Sequence, residues 1–195
     1  MMHLLKAALA LAIFTSLPMT SFGNQIKEPI PTVEHVDLDS YLGVWHEILR
    51  IKNSFQDNEP RPGEGACFNT TAEYSVLQNG KIGVKNSCMR KSGLEVALAK
   101  ARVVEGSNNS KLKVNFTGIP ILECLGIGDG DYWIIALGEK NAESLYSWVL
   151  VGSPKLDFGW VLSRNAKMPD SDLAAALSAA SAVGYDTKLF NSTQR

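Results

Sequence analysis

Hydrophobic and polar residues alternate with a period of two along most of the chain, in short runs separated by turn-forming residues. The pattern predicts strands over 43–50, 67–77, 81–88, 94–105, 111–117, 131–138, 145–152 and 158–164. The separators are Gln78-Asn79-Gly80, Ser92-Gly93, Gly106-Ser107-Asn108-Asn109, Gly128-Asp129-Gly130 and Gly152-Ser153-Pro154. Asn79-Gly80 is the clearest, because Asn-Gly accepts the positive φ of a two-residue type I′ hairpin turn. Eight strands at this spacing, with almost no helix between them, predict an all-β antiparallel barrel or sandwich.

One segment changes to helical periodicity. Asp170 and Ser171 follow Pro169 and can cap, Asp172 suits the N-terminal dipole, and an Ala-rich run continues to Val183 before Gly184. Leu173, Leu177 and Ala180 share one face, a modest apolar stripe suited to lying across the outside of a sheet.

The N-terminus follows a third pattern. Lys6 precedes the apolar run Ala7–Phe14, and the small residues Ser21 and Gly23 end the segment. A basic start, a short apolar centre and small residues at the cut are the order of a secretory signal, expected at 1–23. Removing 23 of 195 residues leaves 172, and losing Lys6 takes Lys+Arg from 19 to 18 against 20 Asp+Glu. No cysteine lies near the cut, which argues against a lipid-modified N-terminus. The expectation is a soluble, exported protein, periplasmic or secreted. Residues 24–40, with Pro29 and Pro31, read as an irregular leader arm, followed by one domain over 41–195.

A formal net charge of -1 and 20% charged residues give no electrostatic reason to expect nucleic acid as partner. The 45% hydrophobic content fits a single sizeable core. Only His35 and His46 remain beyond the signal, too few for a metal site, and no Ser-His-acid arrangement, phosphate loop or Cys-x-x-Cys motif occurs. No cofactor is expected.

Two motifs make the prediction specific: Gly43-Val44-Trp45 at the start of the first strand, and Trp160-Val161-Leu162-Ser163-Arg164 at the end of the last. With Ala72-Glu73-Tyr74, the run Asn79 to Asn86, Asp131-Tyr132-Trp133-Ile134 and Leu150-Val151-Gly152, the chain resembles the lipocalins, and within them the bacterial lipocalin and apolipoprotein D branch. The resemblance runs from about Val36 to about Phe190. It implies an eight-stranded antiparallel up-and-down barrel with one C-terminal α-helix packed outside. If the sheet closes, Trp45 and Arg164 become neighbours, and the guanidinium stacks on the indole to close one end beside Gly43.

In that branch the positions matching Tyr74, Asn86, Tyr132 and Trp160 line a pocket. Strand parity extends the set, because alternate residues face inward. Glu47 and Leu49 follow Trp45; Phe68 shares parity with Tyr74, and Val84 with Asn86. Val114 and Phe116 come from strand 111–117, and Ile134 follows Tyr132. The expected lining is an aromatic and aliphatic cup with a few polar handles, although each position alone could equally fill a packed core. Glu47 needs a partner, water or a raised pKa if it points inward, and suggests a polar lid or a feature that repels fatty acids.

A two-residue Asn79-Gly80 turn sets Gln78 opposite Lys81 and leaves Cys67 and Cys88 about 13 Å out of register. A disulfide spans at most about 7 Å between Cα atoms. Pairing therefore needs a bulge or a fold-back of the preceding loop. Relatives of the branch carry both cysteines together, which implies a Cys67–Cys88 bridge and leaves Cys124 free.

The resemblance implies a non-enzymatic carrier of a fatty acid, lysophospholipid or similar small hydrophobic ligand, acting in lipid transport, storage or stress at the cell envelope. Peripheral membrane contact stays open, as does the choice between monomer and homodimer. The alternatives are a lipocalin-fold isomerase or de-epoxidase, using Cys88 as nucleophile and Glu47 as acid or base, and a packed barrel that serves as an interaction module.

Overall fold

The computed structural model describes residues 30–58, 62–119 and 125–195. The predicted signal at 1–23 and Cys124 lie outside them, as do residues 24–29. The elements run α1 (Leu38–Tyr41), β1 (Gly43–Ile51), α2 (Ser54–Asp57), β2 (Phe68–Val76), β3 (Ile82–Arg90), β4 (Gly93–Val103), β5 (Lys111–Asn115), β6 (Asp129–Leu137), β7 (Trp148–Gly152) and β8 (Gly159–Ser163). Then follow α3 (Asp170–Ala182), a 3₁₀ turn (Thr187–Leu189) and β9 (Phe190–Ser192). All eight predicted strands are present, joined by a ninth short one.

Neighbouring strands pair antiparallel from β2 through β8, β8 pairs with β1, and β1 pairs back onto β2. The sheet therefore closes as a barrel, and β9 adds to the far half of β1 across Leu49–Ile51. Closure leaves two apolar layers. Inside lie Trp45, Ala72, Tyr74, Ile82, Val84, Ala99, Ala101, Leu112, Val114, Ile134, Val149, Val151 and Leu162. Outside, Ile48, Ile51, Ile135, Trp148, Leu150 and Val161 pack beneath Ala176 and Ala180 of α3. Every residue of β7 is buried, because one face looks into the barrel and the other lies beneath the helix layer.

Three local expectations change. The first hairpin has a three-residue turn: Leu77 N–H donates to Lys81 O at 2.8 Å, and Gly80, at φ 75°, takes the left-handed position. This is the turn with a glycine bulge, not the two-residue type I′ form, and it shifts the pairing so that Tyr74 opposes Val84. At α3 the N-cap is Pro169 and no side chain caps, so Asp170 and Ser171 begin the helix without capping it. Gly184 follows its end at φ 99°, as the Gly stop signal requires.

The third change concerns strand faces. Register shifts fall between Glu47 and Leu49, between Phe68 and Thr71, and between Ile134 and Ala136. A bulge adds one residue to one strand, so every side chain beyond it exchanges faces. Two of the predicted lining residues are lost in this way.

Candidate functional site

One end of the barrel is sealed. Arg164 leaves β8 and its guanidinium carbon stands 3.7 Å from the centroid of the Trp45 ring. It donates to the carbonyls of Val44 at 2.9 Å, Ser40 at 2.9 Å, Tyr41 at 3.0 Å and Tyr146 at 3.2 Å. Those carbonyls belong to α1, β1 and the β6–β7 connection, so one cation ties three segments across the end. Trp45 donates its indole N–H to Tyr41 O at 2.8 Å. Burial lowers the Arg164 pKa to about 10, still far above neutrality. Gly43, at φ 92°, lies where a Cβ would come within 3.4 Å of Arg164 Nη1.

Above this seal three tyrosines meet. Tyr132 OH lies 2.6 Å from Tyr41 OH and 2.8 Å from Tyr74 OH, each hydroxyl supplying a partner that an apolar interior lacks. Burial pushes the Tyr74 phenol up to about 12, and holds Tyr41 and Tyr132 well above the ordinary 10.0.

The wall beyond the tyrosines is lined by small side chains. Ala97, Ala99 and Ala101 of β4 oppose Asn86, Val84 and Ile82 of β3, and Ala72 of β2 opposes Asn86 from the other side. Of these inward alanines Ala72, Ala99 and Ala101 are buried, whereas Ala97 is exposed although it shares the inward face. Asn86, Tyr132 and Trp160 are only half-buried.

At the opposite end α2 packs across the mouth. Arg50 donates to Glu47 at 2.7 Å, to Asp57 at 2.8 and 3.1 Å, and to Cys67 O at 2.9 Å. Gln56 Nε2 donates to Glu47 Oε2 at 2.7 Å, while Gln56 Oε1 accepts from Trp160 Nε1 at 3.0 Å. Gln56 thus joins the lid to both a cavity wall and a buried carboxylate. Arg90 holds the same segment from β3, donating to the carbonyls of Phe55, Gln56, Asn58 and Gly65 and to Glu95. Burial raises the Glu47 pKa and outweighs the lowering by Arg50 and Gln56. Burial also acts to raise Asp57, but the Arg50 hydrogen bonds hold it below the usual carboxylate value.

The interior thus brings together eight of the predicted residues: Glu47, Tyr74, Val84, Asn86, Val114, Tyr132, Ile134 and Trp160. Three lie elsewhere. Leu49 packs with the outer layer, because the β1 bulge turns it out and turns Arg50 in. Phe68 sits beyond the β2 bulge, where Asn69 has φ 48°, and opposes the exposed Met89. The Arg195 guanidinium lies 4.8 Å over its ring, and both line a cleft of about 720 Å³ shared with Arg50, Asn53 and Asp57. Phe116 follows the last residue of β5 and is 50% exposed. Sequence reasoning missed Tyr41, Arg50, Gln56 and the β4 alanines Ala97, Ala99 and Ala101. Alternation of Ala97, Ala99 and Ala101 with Val96, Leu98 and Lys100 was a readable signal for the last; the others carry none.

Cys67 and Cys88 form a disulfide with their Cα atoms 5.5 Å apart. The register shift after Phe68 and the anchoring of Cys67 N–H on Gln56 O at 2.8 Å place the two cysteines within reach. The bridge removes Cys88 as a free nucleophile.

A closed eight-stranded barrel sealed at one end by Arg164 on Trp45, with one helix packed outside, is the architecture of a lipocalin. A family model described as a lipocalin-like domain matches residues 36–195, and the chain belongs to that family. The outer membrane lipoprotein Blc of Vibrio cholerae is 31% identical over 162 residues, covering 82% of this chain and 83% of Blc. Apolipoprotein D of Rattus norvegicus is 33% identical over 175 residues, covering 86% and 81%. Insecticyanin from the tobacco hornworm Manduca sexta shares the fold, with a TM-score of 0.60 at 19% identity over 84% of this chain and 83% of its own. Membership implies binding of a small hydrophobic ligand.

Proposed function

We propose that this chain is a non-enzymatic, exported carrier whose barrel takes the acyl chain of a fatty acid or lysophospholipid. The observation that carries this reading is the inner face of the barrel, where the small side chains Ala72, Ala97, Ala99 and Ala101 share the interior with the aromatic Tyr74, Tyr132 and Trp160. Each methylene buried there contributes about 0.8 kcal/mol before ordering costs, so affinity rises with chain length up to the tyrosine floor. The polar groups at the mouth suit a headgroup that stays near water. The secretory pattern of residues 1–23 and the relative named as an outer membrane lipoprotein support work at the cell envelope.

Against an enzyme on the same barrel, the candidate thiol of Cys88 is engaged in the disulfide and the candidate acid Glu47 is held by Arg50 and Gln56. The test is titration with a fluorescent fatty acid, supported by native mass spectrometry of the protein from its own source. Ala97→Phe, at the exposed inward alanine, is expected to weaken binding at least about tenfold, or about 1.4 kcal/mol, with thermal unfolding little changed. Unaltered binding in that variant removes the cavity assignment.

A further inference from the structure

The molecule has a second concavity, and its lining is polar. The cleft of about 720 Å³ beside Phe68 is built from three segments: the end of β1 with α2, the start of β2, and residues 191–195. Its volume falls within the range of small-molecule sites, about 300–1,000 Å³. Amides and hydroxyls such as Asn58 and Ser192 line it, and among the described residues Phe68 is its one aromatic side chain.

Charge decides what this cleft can hold. Arg50, the buried cation of the lining, is engaged by Glu47 at 2.7 Å and Asp57 at 2.8 Å. Two carboxylates against one guanidinium leave a single negative charge over, and Lys52 and Arg195 in the same lining add two positive ones. The side chains here are therefore net positive. Lys52 and Arg195 are both exposed, and among the described residues neither closes a salt bridge. Arg195 is also held in place: its N–H donates to Asn69 Oδ1 at 2.8 Å and its carbonyl accepts from Asn69 Nδ2 at 3.2 Å, while its guanidinium lies over the Phe68 ring. A guanidinium already fixed loses less freedom on binding, and its planar fork matches the paired oxygens of a phosphate or carboxylate.

We infer that this cleft is a polar binding site, separate from the barrel interior, for the phosphate or carboxylate group of a small molecule. Lys52 and Arg195 supply the charge, and Phe68 packs against the carbon skeleton. Arg50 keeps the two spaces apart: its Nη1 donates to Glu47 on the barrel side, while Asp57 and Cys67 O take its Nη2.

The test is isothermal titration calorimetry of the full chain with glycerol 3-phosphate. The expected result is one site, weakened about tenfold in K52A and in R195A. Added salt weakens it too, and K167A, at an exposed lysine beyond β8, leaves it unchanged. Near-ultraviolet circular dichroism checks that the variants fold. A fluorescent fatty acid already bound is expected to stay bound during the titration. Absence of binding, binding indifferent to K52A and R195A, or displacement of the fatty acid by glycerol 3-phosphate overturns the proposal. The titration needs no lipid, so its failure is distinguishable from failure of the carrier reading. The source of the anion is read by comparing lysophosphatidate with a monoacylglycerol of the same chain. A gain for lysophosphatidate that K52A removes assigns the cleft to a lipid headgroup. Equal binding of the two, with glycerol 3-phosphate still bound, assigns it to a free solute; both results uphold the anion site.

Discussion

Arg164 stands 3.7 Å over the ring of Trp45, and the contact joins the end of the last barrel strand to the start of the first. The same guanidinium serves four backbone carbonyls, of which Tyr41 O also accepts the Trp45 indole N–H. Arg164→Ala removes the stacking and leaves these acceptors short of donors. Its expected cost is about 2–4 kcal/mol in urea unfolding. Arg164→Lys keeps the charge but cannot reach four carbonyls, and is expected to recover less than half of the loss.

Arg50 lies between Glu47 and Asp57 and is itself buried. Arg50→Leu leaves a buried carboxylate unpaired, at an expected cost of about 3–5 kcal/mol near neutral pH. Without Arg50 the folded pKa of Glu47 rises further above its unfolded value. The sign follows: the variant is relatively most stable below the unfolded pKa of a carboxylate, and loses stability as pH rises. Unfolding measured at about pH 4 and about pH 7 is therefore expected to show a smaller deficit in acid.

The tyrosine cluster sets the alkaline limit. Tyr74 titrates at about 12 in the folded chain, against 10.0 for the ordinary phenol. The unfolded chain ionises first, so stability is complete below about pH 10 and declines as pH rises towards 12. Tyr74 alone accounts for roughly 2–3 kcal/mol of this decline. Tyr74→Phe is expected to flatten the fall by that amount in denaturation curves taken across this window.

The Cys67–Cys88 bridge closes a loop with a sequence separation of 21. Chain entropy alone gives it about 3 kcal/mol. The double variant Cys67→Ser, Cys88→Ser is expected to lose about that much, and thiol titration of the parent chain is expected to gain two thiols on reduction.

Gln56 latches the lid to Trp160 and Glu47. Gln56→Ala is expected to raise the rates of fatty-acid entry and release several-fold in stopped-flow fluorescence. Equilibrium affinity changes less, because the latch acts on the path more than on the bound state.

Much of this was legible because a closed barrel repeats one local rule. Period-two alternation located all eight barrel strands, and parity placed Tyr74, Val84, Val114, Ile134 and Trp160 on the inner face. Parity fails where a strand gains a residue. Leu49 and Phe68 obey the alternation on paper, yet the bulges beside them turn both outward, and Arg50 takes the inward place. The first hairpin shows the same limit, since Asn79-Gly80 marked the turn but not its length.

By itself the sequence determined the number and order of the eight barrel strands, the single outer helix, and the Trp45 and Arg164 pair that seals the barrel. Those follow from local periodicity, turn chemistry and a motif that needs only closure to be read. Tertiary structure alone decided that Arg50 is buried between two carboxylates and that Gln56 reaches Trp160. Each of these depends on where a loop or strand ends in space relative to a distant segment. The hydrophobic pattern fixes which face of a strand is buried; it carries no term for the hydrogen bonds that one bulge or one short strand makes or withholds across the sheet.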